Sequence, residues 1–366
     1  MYHIIVKKKI IAWTIFILIN VGVLVFTMLN DFLGNDYAVS SNMAQFLSQY
    51  WWYLIIALVA AFGYILFRSL SSLVIMHFYT GKVRFKLCLT TIIVGQFYDK
   101  VTPFGSGGQP FQIHHLQKQG LECGTSVSLP VTEYVVGRFA FVFISIVAII
   151  LNATGLFGHS LPLNIGIYVM AIIGVVLNLA IPVLLIVALI SKRACRKLTR
   201  FSVIIAKKLR LTKDPAKLYK SIMTTLNANT NCLKRIAKKK RLILCFIFAM
   251  FAYLSTASVG YFVIKAFGYV GYGDMYGWGW VEIVVLNLLI INAISFIPTP
   301  GGAGAAELSF YFVFASALLL STGVASGAVA TLIWRVLSYY VLVLFGFIVI
   351  LYCSRRRKRQ CTKNTK

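Results

Sequence analysis

Residues 96–116 read QFYDKVTPFGSGGQPFQIHHL, and residues 296–310 read FIPTPGGAGAAELSF. Within them Thr102-Pro103-Phe104-Gly105-Ser106-Gly107 recurs as Thr299-Pro300-Gly301-Gly302-Ala303-Gly304, an offset of 197 residues. In both copies an arginine follows the proline by 35 residues, Arg138 after Pro103 and Arg335 after Pro300. The same offset pairs Gly63-Tyr64 with Gly260-Tyr261 and Thr125 with Thr322. A Pro/Gly break at matching places in two hydrophobic halves points to a transporter-like binding site.

The surroundings of these breaks set the class. Of the 366 residues, 59% are hydrophobic and 12% charged. Apolar runs at about 10–29, 51–70, 127–151, 163–190, 242–264 and 328–352 approach the roughly 20 residues that cross a bilayer. They do not alternate as barrel strands would. The expected class is therefore an all-α polytopic membrane protein. The first run is longer than a signal core and no clear small-x-small cleavage site follows, so it is expected to stay as an uncleaved helix.

The net charge of +27 has a topological distribution and does not indicate a nucleic-acid partner. Lys7, Lys8 and Lys9 precede the first run, and Lys82, Arg84 and Lys86 follow the second. Seventeen Lys/Arg lie from Lys192 to Arg241, and Arg355 to Arg359 close the chain. Stretches 30–50, 152–162 and 266–334 hold no Lys or Arg. The positive-inside rule then places both termini and the 191–241 loop in the cytoplasm. Phe201, Ile204, Ile205 and Leu209 among the basic residues suit a helix on the anionic inner leaflet, and a solvated basic linker is the alternative. Seven cysteines without a CxxC, and the adjacent His114 and His115, give no disulfide or metal pattern. No cofactor is expected.

These sides force 87–117 to leave the cytoplasmic face and return to it, broken midway by TPFGSGGQP, as a re-entrant hairpin of two half-helices. Irregular backbone survives at membrane depth only where protein or water satisfies it. The stretch 281–320, broken at Pro298-Thr299-Pro300-Gly301-Gly302, reads as the mirror hairpin from outside. Charge parity also allows two full crossings there. The expected organisation has five parts. An N-terminal helix and outer loop fill 1–50, and a first repeat fills 51–152. A linking helix and basic insert occupy 153–247. A second repeat of inverted topology fills 248–352, and a basic tail runs over 353–366.

A half-helix starting at depth aims its unpaired N–H groups and positive dipole end at the interior, a device for phosphate or carboxylate. The second half-helices are expected to begin near Gln109 and near Ala305 or Ala306. Arg138 and Arg335 are costly in a bilayer, about 2.5–3.5 kcal/mol each on insertion scales. They pair either with an anionic substrate, a lipid phosphate foremost, or with Glu133, Glu307 or Asp99. Thr102, Ser106, Gln109, Gln112 and Thr299 are further polar groups that need partners.

The two quoted stretches and the later EYVVGRF (133–139) resemble the lysylphosphatidylglycerol synthetase transmembrane-region family, over roughly 10–350. That family includes the flippase portion of the bacterial multiple peptide resistance factor. The resemblance implies a multi-pass protein of the bacterial cytoplasmic membrane that moves phospholipid between leaflets, with aminoacyl-phosphatidylglycerol a candidate. Antimicrobial peptide resistance would be the associated role. The family pattern falls on Thr102, Pro103, Gly105, Gly107, Gly108, Gln109, Pro110, Pro300, Gly301, Gly302, Gly304 and Glu307. The length leaves no room for the resistance factor's synthetase domain, so a non-enzymatic flippase or scramblase is expected. Its partners would be membrane phospholipids and the anionic inner leaflet, with a homo-oligomer or a separate synthetase as protein partners. A small anionic-solute transporter and a membrane-embedded lipid-modifying transferase are the competing readings.

Overall fold

The computed structural model describes residues 47–102, 105, 107–154, 165–190, 196, 200, 216, 241–269, 279–322 and 326–364. Expectations for the first helix at 10–29, for the outer loops at 30–46 and 155–162, and for most of the 191–241 insert fall outside them. Among the described residues the chain is helical and has no strand.

Six helical stretches are long and apolar enough to cross a membrane: Trp52–Thr80, Cys123–Ala153, Tyr168–Val187, Arg241–Ala266, Pro300–Leu319 and Gly327–Cys353. In chain order α1 is Trp52–Thr80, α2 Phe85–Val101, α3 Gly108–Lys118, α4 Cys123–Ala153 and α5 Ile165–Ile190. Then come α6 Arg241–Ala266, α7 Trp280–Ile294, a 3-10 turn Pro300–Gly302 and α8 Ala305–Thr322. The chain ends in α9 Gly327–Arg335, a π-helical turn Val336–Tyr340 and α10 Val341–Asn364.

Three boundaries differ from the sequence reading. Helix α1 runs on past residue 70 to Thr80, where Gly81 (φ 67°) closes it with an N–H to His77 O bond, the left-handed stop that glycine allows. Helix α10 continues through the basic tail to Asn364, so the tail is helical. The stretch 281–320 is unequal: α8 with its preceding turn is long enough to cross, whereas α7 has 15 residues and spans about 22 Å at 1.5 Å per residue.

The stretch 87–117 is broken as expected. Helix α2 has 17 residues and α3 only 11, about 16 Å, short of the roughly 30 Å hydrocarbon core. The two fold back on each other. Thr90 meets His115, Gly95 packs on the Gln112 amide, Tyr98 stacks on Phe111, and Asp99 bonds Gly108.

The centre of the bundle is α1 against α6, packed antiparallel. Ser71 Oγ donates to Cys245 O, Ser255 Oγ donates to Ala60 O, and the Tyr64 and Tyr253 rings meet at 5.7 Å. Small residues permit this approach, as in membrane helix pairs generally. Ala57, Ala61, Ala249, Ala252 and Ala257 are fully buried. Around that pair, α2 leans on α10 through Phe97, Phe347 and Gly346, while α7 leans on α4 through Asn292 and Ser145.

Candidate functional site: a polar cavity between two glycine elbows

A cavity of about 260 Å³ lies where the two helix breaks meet. Gly105 of the first break and Thr299, Gly301 and Gly302 of the second all line it. The rest of the wall mixes apolar Ile291, Ile294, Ile297, Trp334 and Leu342 with a polar set: Tyr64, Gln96, Asp99, Lys100 and Arg138 from one side, and Tyr253, Thr256, Asn287, Ser295, Arg335, Ser338 and Tyr339 from the other. Arg138 is the middle residue of the 31-residue α4, so the cavity sits at mid-height of a spanning helix.

The first elbow is built by the end of α2 reaching over to α3. Thr102 Oγ1 donates to Tyr98 O (2.7 Å) and accepts from Gly107 N–H (2.9 Å). Asp99 Oδ1 accepts from Gly108 N–H (2.7 Å), the first residue of α3. A Cβ at Gly108 would run into that carboxylate, so glycine is required by space here.

The second elbow solves the same problem with a different acid. Gly301, Gly302 and Gly304 all take positive φ, which turns the chain within a few residues. Glu307 Oε2 accepts from Gly304 N–H (2.7 Å), and Glu307 Oε1 lies 2.5 Å from Arg335 Nε. Arg335 also donates to Gly301 O (2.9 Å), and its guanidinium lies 4.3 Å from the Tyr339 ring centroid. Thr299 Oγ1 donates to Ala303 O (3.0 Å) and closes the turn.

This changes the expectation for the elbow amides. The described N–H groups of Gly107, Gly108 and Gly304, expected to receive an external anion, are occupied by Thr102, Asp99 and Glu307 of the chain itself. A helix start in an apolar setting cannot leave its donors open. Thr102, Gly107, Gly108, Gln109, Pro300, Gly304 and Glu307 lie in or beside the elbows, Gln112 on α3 and Glu133 on α4, and none of them lines the cavity. Pro103 and Ser106 lie outside the described residues.

The two matched arginines also part company. Arg335 is a buried clamp on Glu307 and the second elbow. Glu133, the expected neighbour of Arg138, instead pairs with Arg68 of α1 at 2.5 Å, both buried. Arg68 fills the space over Gly137, whose Cβ would meet its guanidinium. Arg138 is left with neutral partners: it donates to Asn178 Oδ1 of α5 (2.6 Å) and lies over the Tyr134 ring. Asn178 in turn donates to Ser295 Oγ at the end of α7 (2.9 Å). Among the described residues no carboxylate comes within 4.0 Å of Arg138.

Lys100, passed over in the sequence, is the second cation of the cavity. Its Nζ donates to Ser338 O (3.0 Å), and its carbonyl accepts from Tyr339 Oη (2.8 Å). That reciprocal pair ties the first elbow to the π-helical turn, and Tyr339 carries the tie on to Arg335 and the second elbow. Among the described residues the cavity therefore presents two basic side chains, Arg138 and Lys100, against one carboxyl, Asp99, while Arg335 is neutralised by Glu307.

Comparison with known proteins agrees with the architecture. The family model for the lysylphosphatidylglycerol synthase TM region matches residues 11–346. A UPF0104 membrane protein of Archaeoglobus fulgidus is 22% identical over 316 residues, covering 84% of this chain and 88% of that protein. With most of its length matched, this polytopic membrane protein belongs to the lysylphosphatidylglycerol synthase TM region family.

Proposed function

We propose that the protein is a phospholipid flippase or scramblase and that the cavity between the elbows holds the phosphodiester of the headgroup. The observation that carries this is Arg138: a half-buried guanidinium at mid-height, lining the cavity, with only neutral hydrogen-bond partners among the described residues. Such a group is retained at a cost that an anionic substrate would offset. Lys100 would take a second phosphate oxygen by leaving the Ser338 carbonyl. Asp99, the one acid in the wall among the described residues, suits the ammonium of an aminoacylated headgroup such as that of aminoacyl-phosphatidylglycerol. The acyl chains would stay in lipid while the headgroup crosses, without covalent chemistry.

Two packings support an inverted repeat behind this activity. The offset of 197 maps α1 onto α6, and those two helices lie antiparallel along each other. It also maps α2 onto α7 and α4 onto the region of α9 and α10, and α2 packs on α10 while α7 packs on α4. Halves related in this way alternate access around a fixed mid-membrane site. The basic segments favour an orientation with both termini in the cytoplasm.

The test is translocation of labelled phosphatidylglycerol, with and without an aminoacyl group, in proteoliposomes. A charge-assisted hydrogen bond is worth about 1.5–3 kcal/mol, so Arg138→Ala should slow translocation about tenfold to a hundredfold, and Arg138→Lys less. Wild-type rates in Arg138→Ala would end the proposal. Uptake of a water-soluble organic anion without lipid movement would favour a solute transporter instead.

A further inference from the structure

A second concavity of about 160 Å³ lies on the other flank of α2, between the α2–α3 hairpin and α10. Helix α2 divides its faces between the two spaces. Gln96, Asp99 and Lys100 look into the central cavity, while Val94 and Tyr98 look into this groove. The two spaces are therefore about one helix diameter apart, roughly 10 Å.

The groove is amphipathic along its length. Its mouth carries His114, His115, Lys118 and Gln119 from the end of α3, and His115 is held by a hydrogen bond between its Nε2 and Thr90 Oγ1 (3.2 Å). Deeper in, Tyr98 and Phe111 stack almost parallel at 3.4 Å and make a flat apolar wall facing Ile350 of α10. Phe111, His114 and Lys118 are exposed. Helix α10 contributes Cys353 to the lining and then continues directly into residues 355–359, which read RRRKR. The end of α3 and the end of α10 thus share one side of the bundle, the side that the charge pattern assigns to the cytoplasm.

We infer that this groove binds one anionic phospholipid of the inner leaflet, with its phosphodiester at His114 and Lys118 and the first methylenes of one acyl chain along Tyr98, Phe111 and Ile350. Charge complementarity selects the occupant: basic pockets between membrane helices on the cytoplasmic side take anionic headgroups. The aromatic wall distinguishes a lipid from a free phosphate, which has nothing to lay there. On the lipid-transport reading, this is where a headgroup waits beside the cavity. The binding itself does not depend on transport.

Cys353 in the lining is a native reporter, and Cys123, exposed and outside the groove, is an internal reference. The full-length protein is reconstituted into vesicles of phosphatidylcholine alone or with phosphatidylglycerol. An uncharged maleimide is added, and labelling is resolved peptide by peptide. Phosphatidylglycerol should slow labelling of Cys353 several-fold relative to Cys123. The protection should vanish in His114→Ala/Lys118→Ala and persist in Arg138→Ala, so that loss of the groove and loss of the transport site are read separately. Equal Cys353 labelling in both vesicles would overturn the inference. So would protection by soluble glycerol phosphate in phosphatidylcholine vesicles, or protection that survives the double substitution.

Discussion

At the residue scale, two arginines in the same sequence register have opposite electrostatic fates. Arg335 has a carboxylate at 2.5 Å and a backbone carbonyl at 2.9 Å, whereas Arg138 has an asparagine. Removing one member of a buried ion pair strands the other and costs about 3–5 kcal/mol, while removing both together is far milder. Arg335→Ala should therefore lower thermal stability in detergent by about 3–5 kcal/mol. Arg335→Met/Glu307→Gln should recover most of that loss. If Arg335→Ala melts like wild type, the clamp is not structural. Arg68→Ala, which strands Glu133, should behave like Arg335→Ala. The register in the sequence made Arg138 and Arg335 look equivalent because spacing records position along a helix and not what lies across from it. Glu133 sits five residues before Arg138 in the chain, yet its partner is Arg68, supplied by another helix.

At the element scale, the elbows were the most legible feature of the sequence and their occupancy the least. Pro/Gly clusters mark where a helix must stop, and the second arms begin at Gly108 and Ala305, close to the expected Gln109 and Ala305 or Ala306. Which group satisfies the freed amides is a matter of side-chain reach, so the capping roles of Asp99 and Glu307 were hidden. Lys100 and Tyr339 were hidden for the same reason: their tie joins residues 239 apart. The π-helical turn at 336–340 brings Ser338 and Tyr339 over Lys100, and such turns often mark functional sites. Tyr339→Phe removes only the hydroxyl that bonds the Lys100 carbonyl. Stability should drop by about 1 kcal/mol, and phosphatidylglycerol translocation should fall several-fold, because the link between the elbows keeps only the Lys100–Ser338 bond. Unchanged translocation together with the small loss of stability would make the tie plain packing.

At the scale of the whole molecule, the spanning helices could be read from apolar runs, because hydropathy is a summed property of a long segment. Asn178 could not. It lies in α5, outside the matched halves, and it reaches Arg138 only through tertiary packing. The arrangement of the halves makes its own prediction about motion. The α1–α6 pair is an alanine-lined contact with side chains bonded to backbone across it, such as Ser255 to Ala60, and it suits a fixed axle. The contacts between α2 and α10 are looser in chemistry, chiefly Phe97 against Phe347 and against Gly346. If the cavity opens by each hairpin arm shifting on the last helix of the other half, locking α2 to α10 should stop transport and locking the axle should not. A Cβ at Gly346 would lie 2.9 Å from that of Phe97, about 0.6 Å inside the usual disulfide span, so Phe97→Cys/Gly346→Cys can cross-link once α2 and α10 separate by that amount. Gly63→Cys/Ser255→Cys, whose Cβ atoms would lie 3.4 Å apart, places a corresponding pair on the axle. Translocation measured before and after reduction should be restored by reductant in the first variant and indifferent to it in the second. The reverse pattern would put the moving surface at the α1–α6 pair and make the hairpins the fixed frame.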